Sequence, residues 1–104
     1  MGTYHLAYKG GSMPENDAER EASMAAWRTF LGGVGEALVD AGNPFGPATT
    51  IASSGAVSEG ATSGLSGYSI ISSGSLADAT ATAKACPIFA YGGSVEVHEI
   101  HPVM

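Results

Sequence analysis

G-Y-S-I-I-S-S at 67–73, S-L-A-D-A-T-A-T-A-K-A-C-P at 75–87 and G-G-S-V-E-V-H-E-I at 92–100 read in turn as strand, helix and strand. The two outer segments carry β-branched and alternating apolar residues bordered by glycine, the pattern of a partly buried sheet. The middle segment opens on Ser75-x-x-Asp78, a capping box that satisfies orphan backbone N–H groups at a helix start. Its body is Ala77, Ala79, Ala81, Ala83 and Ala85, small residues that permit tight docking. Pro87 disfavours helical backbone at Cys86 and ends the run. The spacing predicts a helix over 76–85 between strands at 67–73 and 94–100.

Working outward, the first half repeats this order. Y-H-L-A-Y at 4–8 alternates within a strand over 3–8, and Gly10-Gly11 ends it. Helix-start chemistry follows, where either Ser12 with Glu15 or Asn16 with Glu19 can form a capping box. Met24, Trp27, Leu31, Val34 and Leu38 then recur at three-four spacing, and Phe30 and Ala37 widen the stripe. Gly42 and Pro44 stop the pattern, so the helix is expected over 18–41. Such a helix is about 36 Å long, whereas a six-residue strand covers about 20 Å. Glycines 32, 33 and 35 each cost roughly 1 kcal/mol relative to alanine, which predicts a bend near Gly32 or an overhang at the start. A short edge strand is expected over 47–52 because of its prolines. Residues 53–66, with Glu59 as the one charge, read as a long hairpin loop.

The six elements spell β-α-β-β-α-β. That order predicts an α+β, ferredoxin-like domain over 1–104, with a four-stranded antiparallel sheet and two helices on one face. The other face would expose Ala7, Ile71 and Ile100 unless a second copy covered it, so a homodimer is expected.

Charge narrows the function classes. Ten acids face four cations, Lys9, Arg20, Arg28 and Lys84, for a net charge of −6. Nucleic-acid binding requires a cationic footprint, and none is present; an anionic membrane surface is disfavoured for the same reason. The single cysteine excludes an internal disulfide and a multi-cysteine metal site. No metal and no cofactor are expected. Without a signal-peptide pattern or a membrane-length apolar run, the expectation is a soluble, cytoplasmic protein.

N-P-F-G-P at 43–47, L-S-G-Y-S-I-I at 65–71, the helix segment at 75–87 and G-G-S-V-E-V at 92–97 occur in an order that resembles the YCII-related domain family. The resemblance covers nearly the whole chain and is more specific in the second half. It implies a dimeric α/β barrel, in which the sheets of two copies face each other with the helices outside. It implies no assigned reaction. Some members carry a histidine in the first helix and an aspartate in the following strand, proposed as a catalytic pair. Here 18–41 holds no histidine and the segment after Pro44 holds no aspartate, so that chemistry does not transfer.

The remaining motifs sort by geometry. Gly33-Val34-Gly35 lacks both the third glycine and the preceding strand of a nucleotide loop. His98 and His101 are three apart on a strand and face opposite sides, which disfavours a chelate. Cys86 closes a helix at its negative end, where a thiol is not activated. Trp27, in phase with Met24 and Leu31, reads as core. Strand parity groups Tyr4, Leu6 and Tyr8 with Ile70, Val95 and Val97. The opposite parity groups His5 and Ala7 with Ser69, Ile71, Glu96, His98 and Ile100. The last strand is expected beside the first, so His5 would oppose Glu96 or His98, and a nearby carboxylate would raise an imidazole pKa. His5, Ser69, Glu96 and His98 are thus the candidate ligand-binding residues, and His5, His98 and Glu96 the catalytic candidates. The leading expectation is a homodimer that binds a small organic molecule between the sheets or under the helices. A cofactor-free enzyme with a histidine acid/base and a regulatory association module are the alternatives.

Overall fold

A strand of alternating burial, β1 (Gly2–Lys9), runs through the middle of the sheet in the computed structural model, which describes residues 1–12 and 15–102. The chain continues through α1 (Asp17–Val34), a 3-10 turn (Gly35–Ala37), β2 (Leu38–Asp40), β3 (Thr49–Ile51), β4 (Val57–Glu59) and β5 (Leu65–Ser73). It ends with α2 (Leu76–Ala83), a second 3-10 turn (Pro87–Tyr91) and β6 (Ser94–Ile100). The architecture is α+β: an antiparallel sheet in the order β2-β5-β1-β6, two helices, and a separate β3-β4 hairpin.

Tyr4, Leu6 and Tyr8 of β1 and Ile71 of β5 are buried together with Phe30 of α1, Ala79 and Ala83 of α2, Cys86 and Ile88. Trp27, Leu31, Val34, Leu38, Val95 and Val97 pack around them, so both helices serve the same face of the sheet. The molecule measures 43 × 42 × 18 Å. Its least dimension fits one helix layer on one sheet.

Both helix starts follow from local chemistry. Asn16, rather than Ser12, caps α1: its side chain accepts the Glu19 backbone N–H at 2.8 Å while the Glu19 carboxylate accepts the Glu15 N–H at 2.8 Å. Ser75 caps α2 by accepting the Asp78 N–H at 3.1 Å. That helix ends at Ala83, two residues before the expected 85, with Lys84 as its cap.

The chain departs from expectation in three places. The helix expected over 18–41 stops at Val34, because Gly35 turns to φ +61° and its N–H donates to the Leu31 carbonyl. Leu38–Asp40 then leaves the helical phase and pairs with β5, Leu38 opposite Ile71 and Asp40 opposite Ile70. The strand expected over 47–52 is consequently not the sheet's edge. Thr49–Ile51 pairs with Val57–Glu59 instead, inside the segment read as loop.

Third, the parity of β5 is the reverse of the one expected. The register sets Leu6 opposite Ser69 and His5 opposite Ile70, and directly opposed residues share a face. Ser69 and Ile71 therefore lie under the helices, while Tyr68 and Ile70 join His5 on the far side. Adjacent isoleucines at 70 and 71 offer an apolar residue to either parity, so the alternation alone cannot fix the phase.

Among the described residues no helix is long and apolar enough to cross a membrane.

Candidate functional site

The uncovered face of the sheet collects three of the four expected residues. His5 lies directly opposite His98 across the β1–β6 ladder, with ring centroids 6.5 Å apart. Glu96 lies opposite Ala7, not His5. Its carboxylate meets His98 Nε2 at 3.0 Å and Lys9 Nζ at 3.1 Å. These contacts, the imidazole first, hold the Glu96 carboxyl below the usual carboxylate range. The rings continue across the face: His5 stacks on Tyr68 at 5.8 Å, and Tyr68 stacks on Phe45 at 5.8 Å. Tyr68 also donates its hydroxyl to Asp40 at 3.1 Å, which raises the phenol pKa. The side chains of His98 and Glu96 are 59% and 50% exposed, so this cluster lies open to water and not inside a pocket.

Ser69 is parted from that group. It is 1% exposed beneath the helix layer, where Tyr8 donates to its hydroxyl at 2.7 Å and the hydroxyl donates onward to the Ala41 carbonyl at 2.7 Å. Burial pushes the Tyr8 phenol up to about 12, with its hydrogen bond to Ser69 acting the other way. The relay lets a serine occupy the core without an unsatisfied polar atom.

This relay lies on the wall of a cleft of about 640 Å³ between α1 and the β2–β5 end of the sheet. Such a volume is in the range of small-molecule sites, about 300–1,000 Å³. Met24, Trp27 and Leu31 from α1 and Ile88 from the second 3-10 turn give it an apolar lining. Trp27 meets Tyr8 edge-on with ring centroids 5.0 Å apart, and Phe30 similarly at 6.1 Å, which fixes the indole at the inner end. Arg28, Ser12 and Tyr91 add polar groups.

The opposite wall depends on a backbone crossing. Residues Ala41 to Pro44 pass against β5 through an isolated bridge between Pro44 and Gly67. Gly42 has φ +74°, and a Cβ there would collide with the carbonyl oxygen of Tyr68. Only glycine permits this approach. Asp40 supports the turn by accepting the Gly42 N–H at 2.8 Å.

Trp27 packs against the core as its place in the α1 stripe predicts, and it also lines the cleft; Met24, read as core, is 54% exposed there, and Arg28 carried no expectation. The cleft exists because β2 and the crossing at Gly42 come up beside that stripe, a long-range pairing with no local signature.

The other flagged groups are chemically quiet. Cys86 is buried, which pushes its thiol up to about 11, well into the unreactive range. His101 meets Glu99 at 2.8 Å, and His98 meets Glu96, on opposite sides of β6. No cluster among the described residues could hold a metal ion. No protein-family model, curated protein or solved structure matches this chain.

Proposed function

We propose that this protein is a YCII-related, ferredoxin-like domain that acts as a homodimer and binds a small organic molecule in the cleft under α1. The strand order β2-β5-β1-β6, with both helices against one face, supports the fold reading. The observation that carries the functional reading is the cleft itself: about 640 Å³, apolar on the helix side, with few polar groups. An apolar concavity with a small number of polar anchors is the usual form of a site for a small organic ligand. Among the described lining residues no nucleophile adjoins a free base, and Tyr8 and Ser69 are committed to each other and to Ala41. Binding is therefore favoured over catalysis.

Trp27 is the sole tryptophan and lines the cleft, so its emission reports on occupancy. The neutral fluorophore N-phenylnaphthylamine, titrated into the protein, is expected to quench Trp27 by energy transfer. Ala41→Phe, which adds a ring to the lining, is expected to abolish the quenching. Quenching that survives Ala41→Phe, or none in the unaltered protein, contradicts the reading.

Support for the dimer comes from the uncovered sheet face. Phe45 and Ile100 are 49% and 38% exposed, Ile70 is partly exposed, and among the described residues no second layer covers the ring row from Phe45 to His98. Sedimentation equilibrium should give twice the chain mass, and Ile70→Glu should yield monomers. A wild-type monomer at micromolar concentration removes this part of the proposal.

A further inference from the structure

Among the described residues that line the cleft, Arg28 alone is charged. That is unusual in a chain where acids outnumber cations by ten to four. The other three cations lie elsewhere: Lys9 meets Glu96 on the uncovered face at 3.1 Å, Arg20 meets Asp17 at 3.4 Å, and Lys84 caps the end of α2. Helical neighbours three and four positions from Arg28 are Met24, Ala25, Leu31 and Gly32, none of them acidic. Among the described residues no carboxylate forms an ion pair with its guanidinium. An arginine thus stands at an apolar cleft with its charge unused.

Resting on the cleft as a ligand site, we infer that its ligand is an apolar or aromatic monocarboxylate. The hydrocarbon body lies against Trp27, Leu31 and Ile88, and the carboxylate takes the Arg28 guanidinium. The planar fork of that group matches a carboxylate with two parallel hydrogen bonds. A cationic ligand would be repelled, and a neutral one would gain nothing from the charge. A dianionic phosphate would exceed the one positive charge present and meet the field of a molecule at net −6. The stoichiometry of charge selects a single carboxylate.

The test uses a matched pair of probes, naphthaleneacetate and its neutral amide naphthaleneacetamide, titrated into the full chain by calorimetry. The acid is expected to bind about tenfold tighter than the amide, as a charge-assisted pair in a partly apolar site should. Arg28→Gln should weaken the acid to the level of the amide and leave the amide unchanged, and Arg28→Lys should retain part of the preference. Added salt should weaken the acid only. Arg28 is exposed and outside the core, so these variants fold, and unchanged Trp27 emission checks it. Equal affinities in the unaltered protein, or an acid indifferent to Arg28→Gln, overturns the carboxylate inference while the cleft reading stands. If neither compound binds but N-phenylnaphthylamine does, the inference again fails alone. If none of the three binds, both fail.

Discussion

The two helices cover the same sheet in different ways. α2 lies close: its buried residues are Ala79 and Ala83, at 0% and 3% exposure, and it packs directly on β1, β5 and β6. A methyl group at the contact lets helix backbone approach strand backbone, and nothing remains between them. α1 is more than twice as long, yet Phe30 is its one buried side chain among the described residues. Trp27 and Leu31 are half-buried and Met24 is 54% exposed. Bulky side chains hold α1 away from the sheet, and the gap is the cleft. The size of the residues on the inner face of each helix separates a sealed interface from an open cleft.

The largest expected effect would break this contrast. Ala79→Leu forces added volume into a filled interface and should cost about 1–3 kcal/mol in denaturant unfolding. Leu31→Phe adds volume where space exists and should change stability by under about 1 kcal/mol, because the ring can enter the gap. Equal costs for the two would mean that α1 is as tightly seated as α2.

A smaller effect sharpens the contrast at the cleft wall. Tyr8→Phe removes the hydroxyl that donates to Ser69 and should cost about 1 kcal/mol. It also predicts an alkaline signature. The folded-state phenol titrates at about 12 against an ordinary 10.0, so the neutral form is favoured by folding. That stability is fully present below pH 10 and is lost as pH rises through 12, because the unfolded chain releases the proton first. Stability curves measured over pH 9 to 12 (about the usual phenol range) should fall less steeply in Tyr8→Phe. Identical slopes would show that Tyr8 is open to water and that the cleft does not protect it.

The elements of the second half, though not the phase of β5, were legible because their signals are local. Ser75 caps, Pro87 stops the helix, and 94–100 alternates, so each boundary is written within a few residues of where it acts. In the first half the apolar stripe continued past the true helix end, since Leu38 is in phase with Val34 whether the backbone coils or extends. What ends α1 is Gly35 together with a partner strand some thirty residues away. The same non-local pairing set the phase of β5, sending Ser69 to the helix side and Tyr68 to the face of His5. Of the expected site, Glu96 and His98 share a face because parity within one strand needs no partner, and the β1–β6 register adds His5 to it, directly opposite His98. The cleft was not legible, because its wall is the backbone crossing at Gly42 and neither side of it announces the other.

Burial of Cys86 beside Ile88 has a practical consequence. The chain's native thiol is shielded from maleimide reagents, so a cysteine introduced at Ser54, on the turn joining β3 to β4, would be the one labelled in the native fold. A dye there could follow that hairpin, whose Ile51 and Val57 are 69% and 67% exposed, with the wild-type core left intact.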